Sequence, residues 1–201
     1  LYVESNLSNI EMALGHCWMQ VNNIAFCNGY QKVCVHIITS LVGGFGAGSF
    51  INIADLINRK YGERAHIIGY GVLHGVFGAM NLSEWGMPIL RLNTYASILD
   101  LDYLMQASVV SPIKLEINGA VRELDKPLFD RFYVVDNQVE NGGIIANVNE
   151  LCKVLGSCIF ANDEPTPDAL RLDWRQGHWN ISDKLGWVHT LGGCQVVYKG
   201  D

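Results

Sequence analysis

One short segment, residues 43–49, has the composition of a phosphate-binding turn. Four of its first six residues are glycines, and it follows a run rich in β-branched residues over 33–39. Glycine has no Cβ to block a ligand and adopts positive φ at little cost, so backbone N–H groups in such a run can surround an anion. We therefore predict a loop over residues 43–48 that demands positive φ at some positions, with Ser49 near the N-cap of the following helix.

Two well-known nucleotide motifs fit this segment poorly. A Walker loop requires Lys and then Ser or Thr after the last glycine, whereas Ser49 and Phe50 follow Gly48. A dinucleotide-binding fingerprint requires an acidic residue at the end of the second strand, where the chain has Gly69 and Gly71 on either side of a tyrosine. A Rossmann-type dinucleotide enzyme is therefore the weaker of the nucleotide-binding hypotheses.

Alternating strands and helices are predicted to position this turn. Apolar spacing predicts helices over residues 7–21, 49–61, 91–108 and 143–160, and strands over 33–39, 65–72, 129–136 and 194–198. Asn118-Gly119 between two short apolar runs predicts a β-hairpin at about 113–124. This order implies an α/β fold with a three-layer, mostly parallel Rossmann-like sheet and helices on both faces.

Composition narrows the classes of partner. The 201 residues are 49% hydrophobic and 17% charged, and 14 scattered basic residues against 20 acidic ones give a net charge of -6. This charge disfavours nucleic acid and anionic membranes as partners. The long uncharged stretches are too rich in glycine and polar residues for a membrane span. Six cysteines without a CxxC spacing indicate thiols in a reducing, cytoplasmic compartment, and Cys34 with His36 supplies too few ligands to predict a metal site.

Three segments, taken in order, resemble the tubulin and FtsZ superfamily, particularly its bacterial tubulin-like members. The glycine run resembles the family signature GGGTGSG. The segment around Asn93 resembles the family's helix start at the nucleoside, and the segment ending in Asp136 and Asn137 resembles the strand that leads into the long central helix. The resemblance covers residues 33 to about 160, with a looser likeness over 184–199.

This resemblance implies a protein that binds GTP or GDP together with Mg²⁺ and that associates with further copies of itself. It also implies that residues 1–160 form the nucleotide-binding domain and that residues 161–201 begin a following segment or second domain. The family's first strand and its own phosphate turn are not seen in these residues. The implied nucleotide-contacting residues are Gly43, Gly44, Phe45, Gly46, Ala47, Gly48, Ser49, Asn93, Asp136 and Asn137.

Several departures leave alternatives open. The family threonine is missing from the glycine run, and no GxxNxD-like loop follows the central helix. Whether the chain is a GTPase is therefore left open, and no catalytic residue is assigned. The glycine run could be a plain strand-to-helix turn, Asn93 a helix cap, and Asp136 and Asn137 turn residues. The chain could also be a degenerate tubulin-like scaffold that binds no nucleotide. His66 and His74 are interpreted as hydrogen-bonded interior histidines.

Overall fold

The structure is a computed structural model that describes residues 6–27, 32–79, 86–108, 110–117, 120–138, 142–163 and 188–190. Two short 3-10 helices, Gly62–Arg64 and Gly75–Ala79, each lie next to β2 in the chain. The helices and strands, in chain order, are α1 (Leu7–Cys27), β1 (Val33–Ser40), α2 (Gly44–Tyr61), β2 (Ala65–Val72), α3 (Gly86–Met105), β3 (Ile113–Ile117), β4 (Ala120–Leu124), β5 (Arg131–Val135), α4 (Val148–Asp163) and β6 (Val188–Thr190).

The main sheet has the order β1-β2-β5-β6, and all of these pairings are parallel. Val33 pairs with Ala65 at the start of β1 and β2, and Ser40 pairs with Val72 at their end. Because the strands are parallel, their carboxyl ends meet at one edge of the sheet. The predicted α/β fold class, a largely parallel sheet covered by helices, is confirmed.

The two faces of the sheet are covered by different helices. On one face, Ile67 and Phe132 belong to a core formed with α2 and α3, and on the other, Tyr70 belongs to a core with Leu151 and Leu155 of α4. This alternation follows from the two-residue period of a strand. Full burial of each large apolar side chain contributes about 1.5–3 kcal/mol, so these cores hold the sheet in place.

Glycine is required on β2 by the packing of one aromatic ring. A Cβ at Gly69 would overlap the ring of Phe132, and a Cβ at Gly71 would lie 2.7 Å from both Phe132 Cε1 and Leu41 Cδ1. Phe132 is fully buried and forms an edge-to-face contact with Phe129 at 5.1 Å between ring centroids. An alanine at Gly69 would therefore displace the ring around which this core is packed.

The predicted hairpin is present as antiparallel β3 and β4, outside the main sheet. An isolated hairpin is marginally stable, so its attachment to the rest of the chain matters. The buried Asp55 carboxylate of α2 accepts hydrogen bonds from Arg122 Nη1 of β4 at 3.0 Å and from Arg59 Nε at 2.9 Å. This ion pair fastens the hairpin to α2.

Asp130, which follows the hairpin in the chain, binds to the start of β2. Its carboxylate accepts a hydrogen bond from the Ile67 amide at 2.7 Å and lies 3.5 Å from His66 Nδ1. Burial raises the pKa of Asp130, but hydrogen bonds from His66 and Ile67, with the nearby positive charges, outweigh burial and lower the pKa overall. The stabilisation from this ionised carboxylate is therefore present at neutral pH and is lost as the pH falls through its folded-state pKa.

Several element boundaries differ from the sequence predictions. The prediction of a loop over residues 43–48 is wrong, because α2 already begins at Gly44. α4 begins at Val148 and not at residue 143, and α3 covers Gly86–Met105 in place of residues 91–108. The strand predicted over 194–198 lies outside the described residues. The domain division near residue 160 stays a prediction.

Candidate functional site at the carboxyl edge of the sheet

The predicted site residues are spread along the carboxyl edge of the sheet. Gly43 follows β1, His74 follows β2, and Asp136 follows β5. Since β2 lies between β1 and β5, and neighbouring strands are about 4.8 Å apart, the ends of β1 and β5 are separated by roughly 10 Å. In open parallel α/β sheets this edge is where ligands bind.

The N-terminus of α2 has no capping side chain at its N-cap residue. Gly43 is its N-cap, in extended conformation with φ -106 and ψ 150, and no side chain caps the helix. The amide of Ala47 closes the first turn by donating to Gly43 O at 3.0 Å, so the amides that precede it have no acceptor within the helix. With no acidic residue in the first turn, this end combines amide donors with the positive end of the helix dipole.

Most glycines of the run are not explained by the fold. A Cβ at Gly43, Gly44 or Gly48 would meet nothing within 4 Å, whereas a Cβ at Gly46 would overlap Ser40 O. The expectation of positive φ in this run is wrong, because the described glycines with positive φ are Gly62 and Gly142. Only Gly46 is thus required by packing, and the other three leave space where a ligand could approach the backbone.

Helix α3 holds the segment in front of α2. Asn93 Nδ2 donates to Val42 O at 2.9 Å, and Ser97 Oγ lies 3.2 Å from Leu41 O and 2.8 Å from Asn93 O. Asn93 is inside α3, which begins at Gly86, so the interpretation of Asn93 as a helix cap is wrong. Sequence analysis missed Ser97, although its spacing of four from Asn93 places both on one helix face.

Ser49 does not cap α2, and that prediction is wrong. It lies inside the helix and is buried, and its Oγ donates to Phe45 O at 2.6 Å, a common arrangement for a helical serine. Phe45, in contrast, is 66% exposed in the first turn. The backbone amides, and not the Ser49 hydroxyl, are therefore the donors at this end of α2.

Asp136 and Asn137 lie against the start of the 3-10 helix that follows β2. Asp136 Oδ1 accepts a hydrogen bond from the Asn137 amide at 2.8 Å, and a Cβ at Gly75 would overlap Oδ1 of both side chains. Asn137 O also accepts from Ile145 N at 2.8 Å, which closes the turn toward α4. The structure brings these residues next to Gly75, and β2 separates the end of β5 from the end of β1, where Gly43 lies.

The two histidines differ in their contacts. His66 lies beside Asp130, in keeping with the predicted hydrogen bond, but its side chain is 37% exposed, so the prediction that it is interior is wrong. Within the described residues, the buried Nδ1 of His74 has no hydrogen-bond partner, so the predicted role is wrong for that atom. An unsatisfied buried nitrogen costs about 1–3 kcal/mol, so its presence at the centre of the carboxyl edge is unusual.

The N-terminus of α4 is closed by its own side chains. Asn147 Oδ1 accepts a hydrogen bond from the Glu150 amide at 3.0 Å, and Glu150 Oε2 accepts one from the Ala146 amide at 3.1 Å. An Asn with Glu three residues later is a capping pattern that is visible in the sequence and would have corrected the predicted start of this helix.

The cavities of the molecule lie away from this edge. Two surface cavities, of about 520 and 380 Å³, lie elsewhere: one between α1 and the end of α2, the other between α2 and the hairpin. None of the predicted nucleotide-contacting residues lines either one. Among the described residues, no three His, Cys, Asp or Glu side chains are grouped as a metal site requires. In the same part of the chain, no helix is long and apolar enough to cross a membrane.

The open parallel sheet, with helices on both faces and a glycine-rich helix N-terminus at its carboxyl edge, defines an α/β domain of the Rossmann-like class. A family model described as tubulin-like matches residues 2–198. The chain therefore belongs to the tubulin-like family. No curated protein and no solved structure matches it.

Proposed function

We propose that this tubulin-like protein binds GTP or GDP, with the phosphates at the N-terminus of α2. The observation that carries the proposal is the uncapped, glycine-rich start of this helix at the carboxyl edge of a parallel sheet. A helix N-terminus that has no capping side chain and no acidic residue favours an anion. Membership of the tubulin-like family supports a guanine nucleotide as that anion.

The phosphate charge would be stabilised by the helix dipole and by main-chain amides, including those of Gly44 and Gly46. Asn93 and Ser97 would keep these amides in place through the carbonyls of Leu41 and Val42. Asn93 uses its Nδ2 in this contact, and its Oδ1 would accept a hydrogen bond from the nucleoside. By family resemblance, Asp136 and Asn137 would lie on the nucleoside side.

Mg²⁺ fits this proposal only together with the nucleotide. The described residues hold no group of three side chains that could bind a metal, and Mg²⁺ commonly takes phosphate oxygens with one or two carboxylates. Asp136 is a carboxylate at the same edge of the sheet as the proposed phosphate site. Bound Mg²⁺ would neutralise phosphate charge.

The proposal includes filament formation in the cytoplasm and excludes efficient hydrolysis. In the tubulin and FtsZ superfamily, assembly-stimulated hydrolysis uses an acidic loop after the central helix, and this sequence lacks that pattern after α4. Phe45 and Ala47 also stand where the family has a threonine in one register or the other. We therefore expect nucleotide binding without measurable turnover.

A charge at the N-cap tests the nucleotide proposal. Gly43→Asp caps α2 and places a carboxylate among the amides, where it would repel phosphate. Because like charges in contact cost several kcal/mol, the affinity for GTP should fall at least about 100-fold. Gly43→Asn is the matched control, because it has the same shape and capping ability without the charge. Calorimetric titration with GTP and Mg²⁺ should show this large loss of affinity for the Gly43→Asp variant and less than about tenfold loss of affinity for the Gly43→Asn variant.

Equal GTP affinity of the Asp variant and the wild-type protein would refute the site. A wild-type protein that binds neither GTP nor GDP would refute the function. In that case the second hypothesis, a tubulin-like scaffold that acts by self-association or partner docking, would gain support, since the exposed ring of Phe45 is unusual at a phosphate site. An apparent molar mass from light scattering that rises with protein concentration, without nucleotide, would support the scaffold.

A further inference from the structure

Helix α3 has an exposed apolar face along its whole length. Ile89, Leu92, Tyr95, Leu99 and Tyr103 are between 49% and 67% exposed, although all are large hydrophobic residues. The opposite face of the helix is buried in the core shared with α2. The exposed residues follow a spacing of three or four, so they form one stripe. A continuous exposed apolar stripe of this kind marks an interaction surface.

The stripe is nearly symmetric about its centre, Ala96. Ile89 and Tyr103 are equidistant from Ala96 along the helix, and Leu92 and Leu99 are equidistant to within one residue. A surface that is symmetric in this way is complementary to itself when a second copy is turned by 180°. An antiparallel pair of α3 helices would then place Leu92 against Leu99 of the second copy. The small side chain of Ala96, itself exposed, would let the helices approach closely at the two-fold axis.

Two charged residues beside the stripe favour the same arrangement. Arg91 directly precedes Leu92, and Asp102 directly precedes Tyr103, so both lie on the same flank of the stripe, three turns apart. In an antiparallel helix pair related by a two-fold axis, a given flank of one helix lies beside the same flank of the other helix. Arg91 would therefore lie beside Asp102 of the second copy, and this pairing would occur twice. Asp102 Oδ2 accepts a hydrogen bond from Gln106 Nε2 at 3.0 Å, which a carboxylate can combine with an ion pair.

We propose that the exposed face of α3 binds a second copy of this chain through an antiparallel, two-fold symmetric helix pair centred on Ala96. The opposite charges at the two ends of one flank distinguish this occupant from an unrelated apolar partner, because self-pairing in the antiparallel direction matches both charges at once. The inference deepens the self-association included in the proposed function, but it requires no bound nucleotide.

Sedimentation equilibrium of the full chain, without nucleotide, tests this interface. The wild-type protein should dimerise, and Ala96→Glu should abolish dimerisation, since two carboxylates would meet at the two-fold axis. Ala96 is exposed and glutamate is a good helix former, so the circular dichroism spectrum should not change. A monomeric wild-type protein, or an Ala96→Glu variant that dimerises normally, would overturn the proposal.

Charge exchange identifies the orientation. Arg91→Asp and Asp102→Arg alone should each raise the dimer dissociation constant about tenfold, and the double variant should restore it. An equal mixture of the two single variants should form heterodimers for the same reason. If neither the double variant nor the mixture of single variants dimerises as tightly as the wild-type protein, the antiparallel arrangement is excluded. GTP titration of Ala96→Glu keeps the two proposals apart, because nucleotide binding should survive in a variant that no longer dimerises.

Discussion

The N-termini of α2 and α4 follow strands of the same sheet but are built from opposite residue types. α4 has Asn147 as its cap and Glu150 in its first turn, and both side chains accept backbone hydrogen bonds. α2 has Gly43 as its cap, which makes no side-chain hydrogen bond, and no acidic residue in its first turn. The leading amides of any helix need acceptors. α4 therefore supplies acceptors from its own side chains, whereas the N-cap residue of α2 supplies none.

The largest expected change in stability comes from the one glycine of α2 that packing requires. Gly46→Ala should lower the free energy of unfolding by about 1–3 kcal/mol, because its Cβ would overlap the carbonyl of Ser40. Gly48→Ala is the matched control in the same helix. Its Cβ meets nothing within 4 Å, so it should raise stability by up to about 1 kcal/mol. Urea unfolding of both variants measures the contrast, and equal effects would contradict the close contact between α2 and β1.

A smaller change in stability is expected when the side-chain cap of α4 is removed. Asn147→Ala removes the acceptor of the Glu150 amide and should cost about 1 kcal/mol of stability. GTP affinity should stay the same, because this cap belongs to α4. Chemical unfolding and GTP titration of the same sample check both statements. A loss of GTP affinity with little loss of stability would show that the two helix ends do not have the separate roles inferred from their residues.

The smallest change in stability is expected when the N-terminus of α2 receives a neutral capping side chain. Gly43→Ser, in the extended conformation that Gly43 already has, should raise stability by a few tenths of a kcal/mol. Because the serine hydroxyl would occupy one amide, phosphate should bind several-fold more weakly. Thermal unfolding with and without GTP measures both effects. A stability gain as large as the Asn147→Ala loss would mean that α2 needs a cap as much as α4 does.

The fold was largely predictable, because β-branched runs and apolar spacing are strong local signals. β1 and β2 occur where these runs predicted them. The helical start of the glycine run was not predictable in this way. Glycine is a weak helix former, but its missing side chain lets Gly46 approach Ser40 O, and tertiary contact outweighs local propensity.

The candidate site was predictable only in part. The position of the glycines after a strand identified the helix end that is now the centre of the site. Asn93 came from family resemblance alone, and its contact with Val42 O joins residues far apart in the chain, which no local pattern encodes. Within the part of the chain that the structure describes, Nδ1 of His74 is buried without a hydrogen-bond partner, which no local pattern predicts either. The caps of α4, in contrast, were visible in the sequence and were missed.

The ion pair between Asp55 and Arg122 has a consequence for the glycine end of the same helix. α2 is 18 residues long, or about 27 Å, and it is anchored through the buried Asp55 to the hairpin while α3 secures the chain just before its first turn. Held near both ends, the helix resists sliding or tilting. Its amides are thus fixed in direction before an anion arrives, so little ordering entropy is lost on binding.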